Sequence, residues 1–308
     1  MAHGIMFHHF HSEFHSPRPG SISGKDFEEM LDFLDSEFRI AEPEEFSRLS
    51  EAERRSGRVV VLTFDDALLS QVDVAGPILR ERGYRAVFSI HSSVFGGKPD
   101  PLEIFASFRA EAFPDFSTFW HEFEREARRG RLSSQPEFPL YYPEDYLSDF
   151  PFYTPEERKF RYLRDEVLGP SRYTDVMWGM VEGHSSFDVE EVKHRLWMKH
   201  SHLSQLLAEG HSVGLHSHSH PTRLDELAPE DQAREYTLNF DWIVENLGVR
   251  PLFVAHPCGR YSTDTLEILD NLGVKIGFRS TMTGGVRGSS LEIPREDDAN
   301  VLLQMRER

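Results

Sequence analysis

The chain has one cysteine, Cys258, in 308 residues. No internal disulfide can form, which excludes a small cross-linked secreted scaffold and fits a reducing compartment. There is no uninterrupted run of the ~20 apolar residues that a membrane-crossing helix needs. The opening stretch, MAHGIMFHHFHSEFH, contains neither Lys nor Arg and no apolar run of signal-peptide length. The expected location is therefore the cytoplasm. Positive charge is also scarce: 34 Lys and Arg stand against 52 Asp and Glu, a formal net charge of -18. Phosphate backbones and anionic membranes are bound through basic patches, so neither nucleic acid nor a membrane is an expected partner. Internal repeats and low-complexity segments are absent.

What the sequence does contain is an alternation of strand-like and helix-like segments. HGIMFHHF reads as a first strand and RVVVLTF (58–64) as a β-branched strand buried on both faces. YRAVFSI, HSVGL, RPLFVA, VKIGFRS and SSLEIPRE read as further strands. Between them lie helical patterns. KDFEEMLDFLDSEF places Phe27, Met30, Leu31 and Leu34 on one face. VAGPILRERG stops at Gly83 and HLSQLLAEG at Gly210. PEDQAREYTLNFDWIVENLG and STDTLEILDNLG complete the set. Strand–helix alternation implies a mostly parallel sheet, open or closed, with its chemistry at the carboxyl ends of the strands. Residues 97–195 break this rhythm. They hold helical pieces, Pro-rich loops and many aromatics but no clear strand, and read as an insertion within one domain spanning 1–308. Its aromatics either form a small core of their own or contact substrate.

Two strand ends carry the residues of chemical interest. VVVLTFDDAL puts Asp65 and Asp66 side by side after a buried strand, where two carboxylates are costly without compensation. Alone, the pair also fits a helix cap. GLHSHSH shifts the balance: His216 and His220 stand four apart, a spacing that converges on a helical turn, with His218 as a spacer. Two imidazoles and one carboxylate make a three-ligand metal site with a position left for water. Asp66 then binds the metal, and Asp65 takes a proton from the water. MFHHFH at the first strand end offers a proton donor, and HPCGRYS (256–262) offers loop backbone for an oxyanion. Two His and one carboxylate also serve non-haem iron oxygenases, but those would leave the second Asp unexplained.

TFDD, HSHSH and FVAHPCGRYS resemble the first three motifs of the polysaccharide deacetylases, the NodB-homology domains of carbohydrate esterase family 4. The resemblance spans residues 1–96 and 196–298. It implies a distorted (β/α) barrel and a divalent metal, with zinc first and Co2+, Ni2+ or Fe2+ as alternatives. The implied activity is removal of acetyl groups from N-acetylated carbohydrates. It makes Asp65 the base, and Asp66, His216 and His220 the metal ligands. Cys258, by its backbone N–H, with Pro257, Gly259 and Tyr261, becomes the oxyanion and substrate-binding loop.

The chain departs from the family pattern at Cys258, where members usually carry an aromatic, and in two further places. The Arg that often precedes the third motif is replaced by Ala255 and His256; Arg295, in IPRED, is the candidate to hold the carboxylates from another strand end. The C-terminal general-acid His is missing. In the branch resembling poly-N-acetylglucosamine deacetylases, the acid comes from the first strand, which points to His8, with His9 as its alternative. An amidohydrolase of non-acetyl or cyclic amides, or a glycan-binding member without catalysis, remain competing readings. The insertion is a candidate contact for a homo-oligomer.

Overall fold

In a computed structural model, the described residues are 2–18, 20–56, 58–97, 101–129, 141–147, 153–283 and 289–307. They form two compact units. One comprises Met1–Asp100 and Leu196–Arg308, the other Pro101–Arg195.

The first unit is built on a parallel sheet. Its strands run in the order β10(Arg295–Asp297), β1(His3–Phe7), β5(Val59–Phe64), β6(Ala86–Ile90), β7(Ser212–Leu215), β8(Phe253–Ala255), β9(Ile276–Phe278), and β4(Arg39–Ile40) also pairs with β5. Every ladder in it is parallel. Every residue of β1, β5 and β6 is buried, which explains their continuous apolar runs. The sheet is nearly closed into a barrel by residues just before β10. Ile293 donates to Gly277 O and accepts from Arg279 N–H, while Pro294 O accepts from Gly4 N–H. One segment thus joins β9 to β1. A small two-stranded sheet, β2(Phe10–His11) with β3(Ile22–Ser23), follows β1.

Helices pack on the sheet by the faces their sequences predict. The helix Gly24–Glu37 starts at a capping box between Ser23 and Asp26 and buries Phe27, Met30, Leu31 and Leu34. The helices Gly76–Arg82 and Thr263–Leu272 end at Gly83 and Gly273, both left-handed. A cluster of Phe7, Phe10, Phe27, Phe64 and Phe88 fills the interface, with Phe64 and Phe88 stacked at 4.7 Å.

Three details differ from the sequence reading. The strand expected over SSLEIPRE contracts to β10 plus a bridge from Ile293 to Phe278, because the segment serves two neighbours in turn. A C-terminal helix, Asp298–Arg306, is capped by Asp297. The turn ahead of Gly76 is a π-helix, Gln71–Ala75. Among the described residues no helix is long and apolar enough to cross a membrane.

The second unit is helical among its described residues, with helices Pro101–Glu111, Phe116–Arg129, Pro155–Tyr162 and Gly169–Gly183. Phe105, Phe108, Phe119, Trp120, Phe123, Phe160 and Tyr173 bury one another in its core. Edge-to-face pairs dominate, as between Phe105 and Tyr173 at 90°. These aromatics therefore pack the unit itself.

Candidate active site

The two adjacent carboxylates after β5 have separate partners. Asp65 is buried, and Arg295 grips it with its two terminal guanidinium nitrogens: Nη1 donates to Oδ1 at 2.9 Å and Nη2 lies 2.7 Å from Oδ2. Burial alone would push the Asp65 carboxyl up. Arg295, then His216, more than offset that and hold it below the usual carboxylate range. Arg295 is itself buried, and it also donates to Thr63 Oγ1 at 3.2 Å and Arg279 O at 2.7 Å.

Arg295 is the first residue of β10, and of the two adjacent carboxylates it bonds that of Asp65. Its side chain reaches β5 across β1, at Gly4, which pairs with Arg295 in the ladder. A Cβ on Gly4 would lie 2.8 Å from Arg295 Cγ, too close to coexist. Gly4→Ala is therefore expected to displace Arg295, at a cost of about 1–3 kcal/mol, and to lower both melting temperature and activity. Gly179→Ala, where no atom lies within 4 Å, is the control. Equal melting of the two variants would refute the close approach.

Asp66 turns the other way. Its Oδ1 lies 3.2 Å from His216 Nε2 and 3.6 Å from His220 Nε2. Burial would raise its carboxyl, but the two histidines hold it well below the ordinary value. Oδ1 is buried and makes no hydrogen bond. His216 Nδ1 lies 2.8 Å from the carbonyl of Ala255. A carbonyl only accepts, so Nδ1 carries a proton, and Nε2 is the ring nitrogen turned toward Asp66. Asp66, His216 and His220 each offer a ligand atom, all within 4.8 Å of one another. For bonds of about 2.0–2.1 Å, tetrahedral zinc sets neighbouring ligands about 3.3 Å apart, so the donor set fits a divalent cation.

The convergence of the two histidines is not helical, contrary to the spacing argument. Residues 216–220 form a loop, with Ser217 and His220 at φ 61° and 54°. Asp66, Ala67 and Cys258 also have positive φ; only Leu147 among the other described non-glycine residues does. Left-handed backbone thus concentrates at three strand ends of one site, where strain commonly serves function.

The other expected residues fall as follows. His8 Nε2 is 3.9 Å from Asp65 Oδ2, beyond hydrogen-bonding distance, and its side chain is 31% exposed. His9 contributes its carbonyl to Ile22 N–H. His218 points to Ser92 Oγ, at 2.9 Å. Pro257, Cys258 and Gly259 form a tight turn, with Gly259 N–H donating to His256 O; Cys258 is exposed. Tyr261 stacks on His256 at 4.3 Å and donates to Glu292 Oε1, and burial, with that carboxylate, pushes its hydroxyl up to about 12. His256 is buried against Leu291 O, and burial pulls its imidazole down to about 4.

Several residues that sequence reasoning missed support these groups. Gln71 Nε2 donates to the carbonyls of His8 (2.9 Å) and Asp65 (2.6 Å), tying the two strand ends together. His91, after β6, places its ring 5.6 Å from that of His220. Glu235 and Asn239 bond the 216–220 loop. A readable signal existed for Asn239: it and Gln232 are polar residues on the buried face of an otherwise apolar helix stripe.

The chain is thus a nearly closed parallel barrel that gathers two acids and two imidazoles at its strand ends. A polysaccharide deacetylase family model matches residues 186–277, just under a third of the chain. Solved structures of similar fold include the deacetylase PplD of Streptococcus pyogenes in complex with acetate (TM-score 0.55, 18% identity, covering 98% of this chain and 96% of that one). IcaB from Ammonifex degensii is similar as well (TM-score 0.54, 17% identity, 96% and 90%). So is the deacetylase domain of BpsB from Bordetella bronchiseptica (TM-score 0.52, 13% identity, 96% and 94%). No curated protein matches the chain in sequence.

Proposed function

We propose that the protein hydrolyses the N-acetyl group of a carbohydrate, and that it does so as one deacetylase domain interrupted by the segment 97–195. The observation that carries this is the division of labour between the adjacent acids. Asp65 is held by Arg295, and Asp66 faces His216 and His220. A pure binding site has no need of an ionised acid beside a ligand set. PplD, of similar fold, holds acetate, the product such a reaction releases.

Asp66, His216 and His220 would hold a divalent cation, zinc by their ligand chemistry. When bound, it supplies Lewis acidity to the acetyl carbonyl and lowers the pKa of water. Asp65 accepts the proton of the attacking water; Arg295 keeps its carboxylate ionised and aimed. The C–O bond forms first, which puts negative charge on the former carbonyl oxygen, and the C–N bond breaks as that charge collapses back. His8, near Asp65 and partly open to solvent, gives a proton to the departing amine. The Cys258 N–H, presented by the turn that Pro257 and Gly259 shape, faces the developing oxyanion, and Tyr261 borders the substrate.

The test is release of acetate, with an equal amount of free amine, from a panel of N-acetylated sugars, sugar nucleotides and oligosaccharides. Formylated and cyclic amides serve as competitors. Activity is expected on an acetylated sugar after zinc or cobalt is supplied, and is expected to vanish with a chelator. Turnover confined to the formyl or cyclic amides would overturn the substrate class, and chelator-resistant turnover would overturn the ligand set.

A further inference from the structure

Both proposed ligand histidines ride on one short loop, and that loop is strained at Ser217 and His220. Left-handed backbone at a non-glycine residue persists only where its surroundings hold it. Within the loop, His220 N–H donates to Ser217 Oγ at 3.1 Å, a local bond that closes the turn without anchoring it.

Ser93 N–H donates to His218 O at 2.9 Å from the turn after β6, and two further anchors come from one helix, Pro229–Leu247. Glu235 and Asn239 stand four residues apart on it and leave the same face. Glu235 Oε2 accepts from the N–H groups of His218 (3.0 Å) and Ser219 (2.7 Å), while Oε1 accepts from Ser219 Oγ (2.8 Å). Asn239 is completely buried. Its Oδ1 accepts from His216 N–H at 3.0 Å, and its Nδ2 donates to Ile90 O at 3.1 Å. The same Ile90 carbonyl also accepts from His216 N–H, at 3.1 Å. A carboxylate and an amide on one helix therefore fix the backbone at three of the loop's five residues.

We infer that Glu235 and Asn239 are positioning residues that hold His216 and His220 in ligand geometry before a cation arrives. The inference rests on the reading of Asp66, His216 and His220 as the ligand set. Neither residue touches the ligand atoms. They act through the loop backbone, and the charge on Glu235 strengthens its bonds to two amides and a hydroxyl. With these bonds removed, the cation must order the loop as it binds, and affinity falls.

The experiment uses the full chain, stripped by a chelator and titrated with Co2+ while its visible absorption is followed. Amide hydrogen exchange of the metal-free protein is measured beside it. Glu235→Ala and Asn239→Leu are each expected to weaken Co2+ binding by about 10–100-fold, the usual effect of losing an outer partner of a metal ligand. Exchange at residues 216–220 should quicken in Glu235→Ala while the barrel strands stay protected. Glu235→Gln, which keeps an acceptor oxygen, should bind nearly as the parent does. Glu235 is only half-buried, so its variants carry the test if Asn239→Leu does not fold. Wild-type Co2+ affinity and wild-type loop exchange in Glu235→Ala would overturn the inference. His216→Ala separates the two levels. If it leaves Co2+ binding unchanged, the ligand set itself is wrong and the inference falls with it. If it abolishes binding while Glu235→Ala does not weaken it, the ligand set stands and the inference alone fails.

Discussion

Asp65→Asn is expected to lower the rate of acetate release by about 10²–10⁴-fold, the usual contribution of one general base. The substitution changes almost nothing in shape, but an amide takes no proton from water at neutral pH. The native carboxyl is suited to the task because Arg295 and His216 outweigh its burial and keep it ionised. Metal affinity should move little, since Asp66 and not Asp65 faces the two imidazoles. Steady-state acetate release and a Co2+ titration on the same preparation check both halves. A variant that keeps its rate removes Asp65 from the base role. A variant that loses Co2+ binding as well makes Asp65 a ligand.

The residues that meet at the site were legible in the sequence because each sits on a short motif beside a clear strand. A parallel strand buried on both faces is a continuous apolar run, so its end is visible, and the first polar residues after it mark the site. Asp65 and Asp66 after VVVLTF, and His216 after HSVGL, are of this kind. The barrel follows from the same strands by alternation. The geometry of the 216–220 loop was not legible, since a spacing of four fits a helical turn as well as a loop with two left-handed residues. Left-handed backbone at Ser217 and His220 is a tertiary outcome, found in a loop whose neighbouring amides bond to Glu235 and Asn239, 17 and 23 residues further along the chain.

Gly4 was illegible for a related reason. It reads as an ordinary small residue in a strand, and its role appears only when β10 lies beside β1 and sends Arg295 across it. Arg295 itself could be nominated but not located. Its strand is three residues long, and the preceding segment is committed to β9. The two short ladders, Phe10–His11 with Ile22–Ser23 and Arg39–Ile40 with Val59–Val60, carry too few residues for any periodic signal. The π-helix at Gln71 is equally silent, yet it aims the amide that links His8 to Asp65.

Arg295→Met is expected to be among the most destabilising single changes available, about 3–5 kcal/mol. The side chain is 1% exposed and its partner Asp65 is 1% exposed, so removing the cation leaves a carboxylate buried with no matching charge. Thermal or denaturant unfolding measures the loss. Its pH dependence gives a sharper signature. In the native protein the Asp65 carboxyl lies below its unfolded value, so its stabilisation is present at neutral pH and is lost as pH falls through the folded value. In the variant the main offset to burial is gone, and the folded carboxyl should rise above the unfolded value of about 3.9. Stability is then greatest in acid and declines as pH climbs between the two values, so the variant should gain on mild acidification while the parent does not. The double variant Asp65→Asn, Arg295→Met removes both charges and should recover part of the loss, because replacing a buried pair costs less than breaking one. If Arg295→Met melts like the parent and shows the parent's pH profile, Arg295 does not hold Asp65, and the ionised state of the proposed base must have another source.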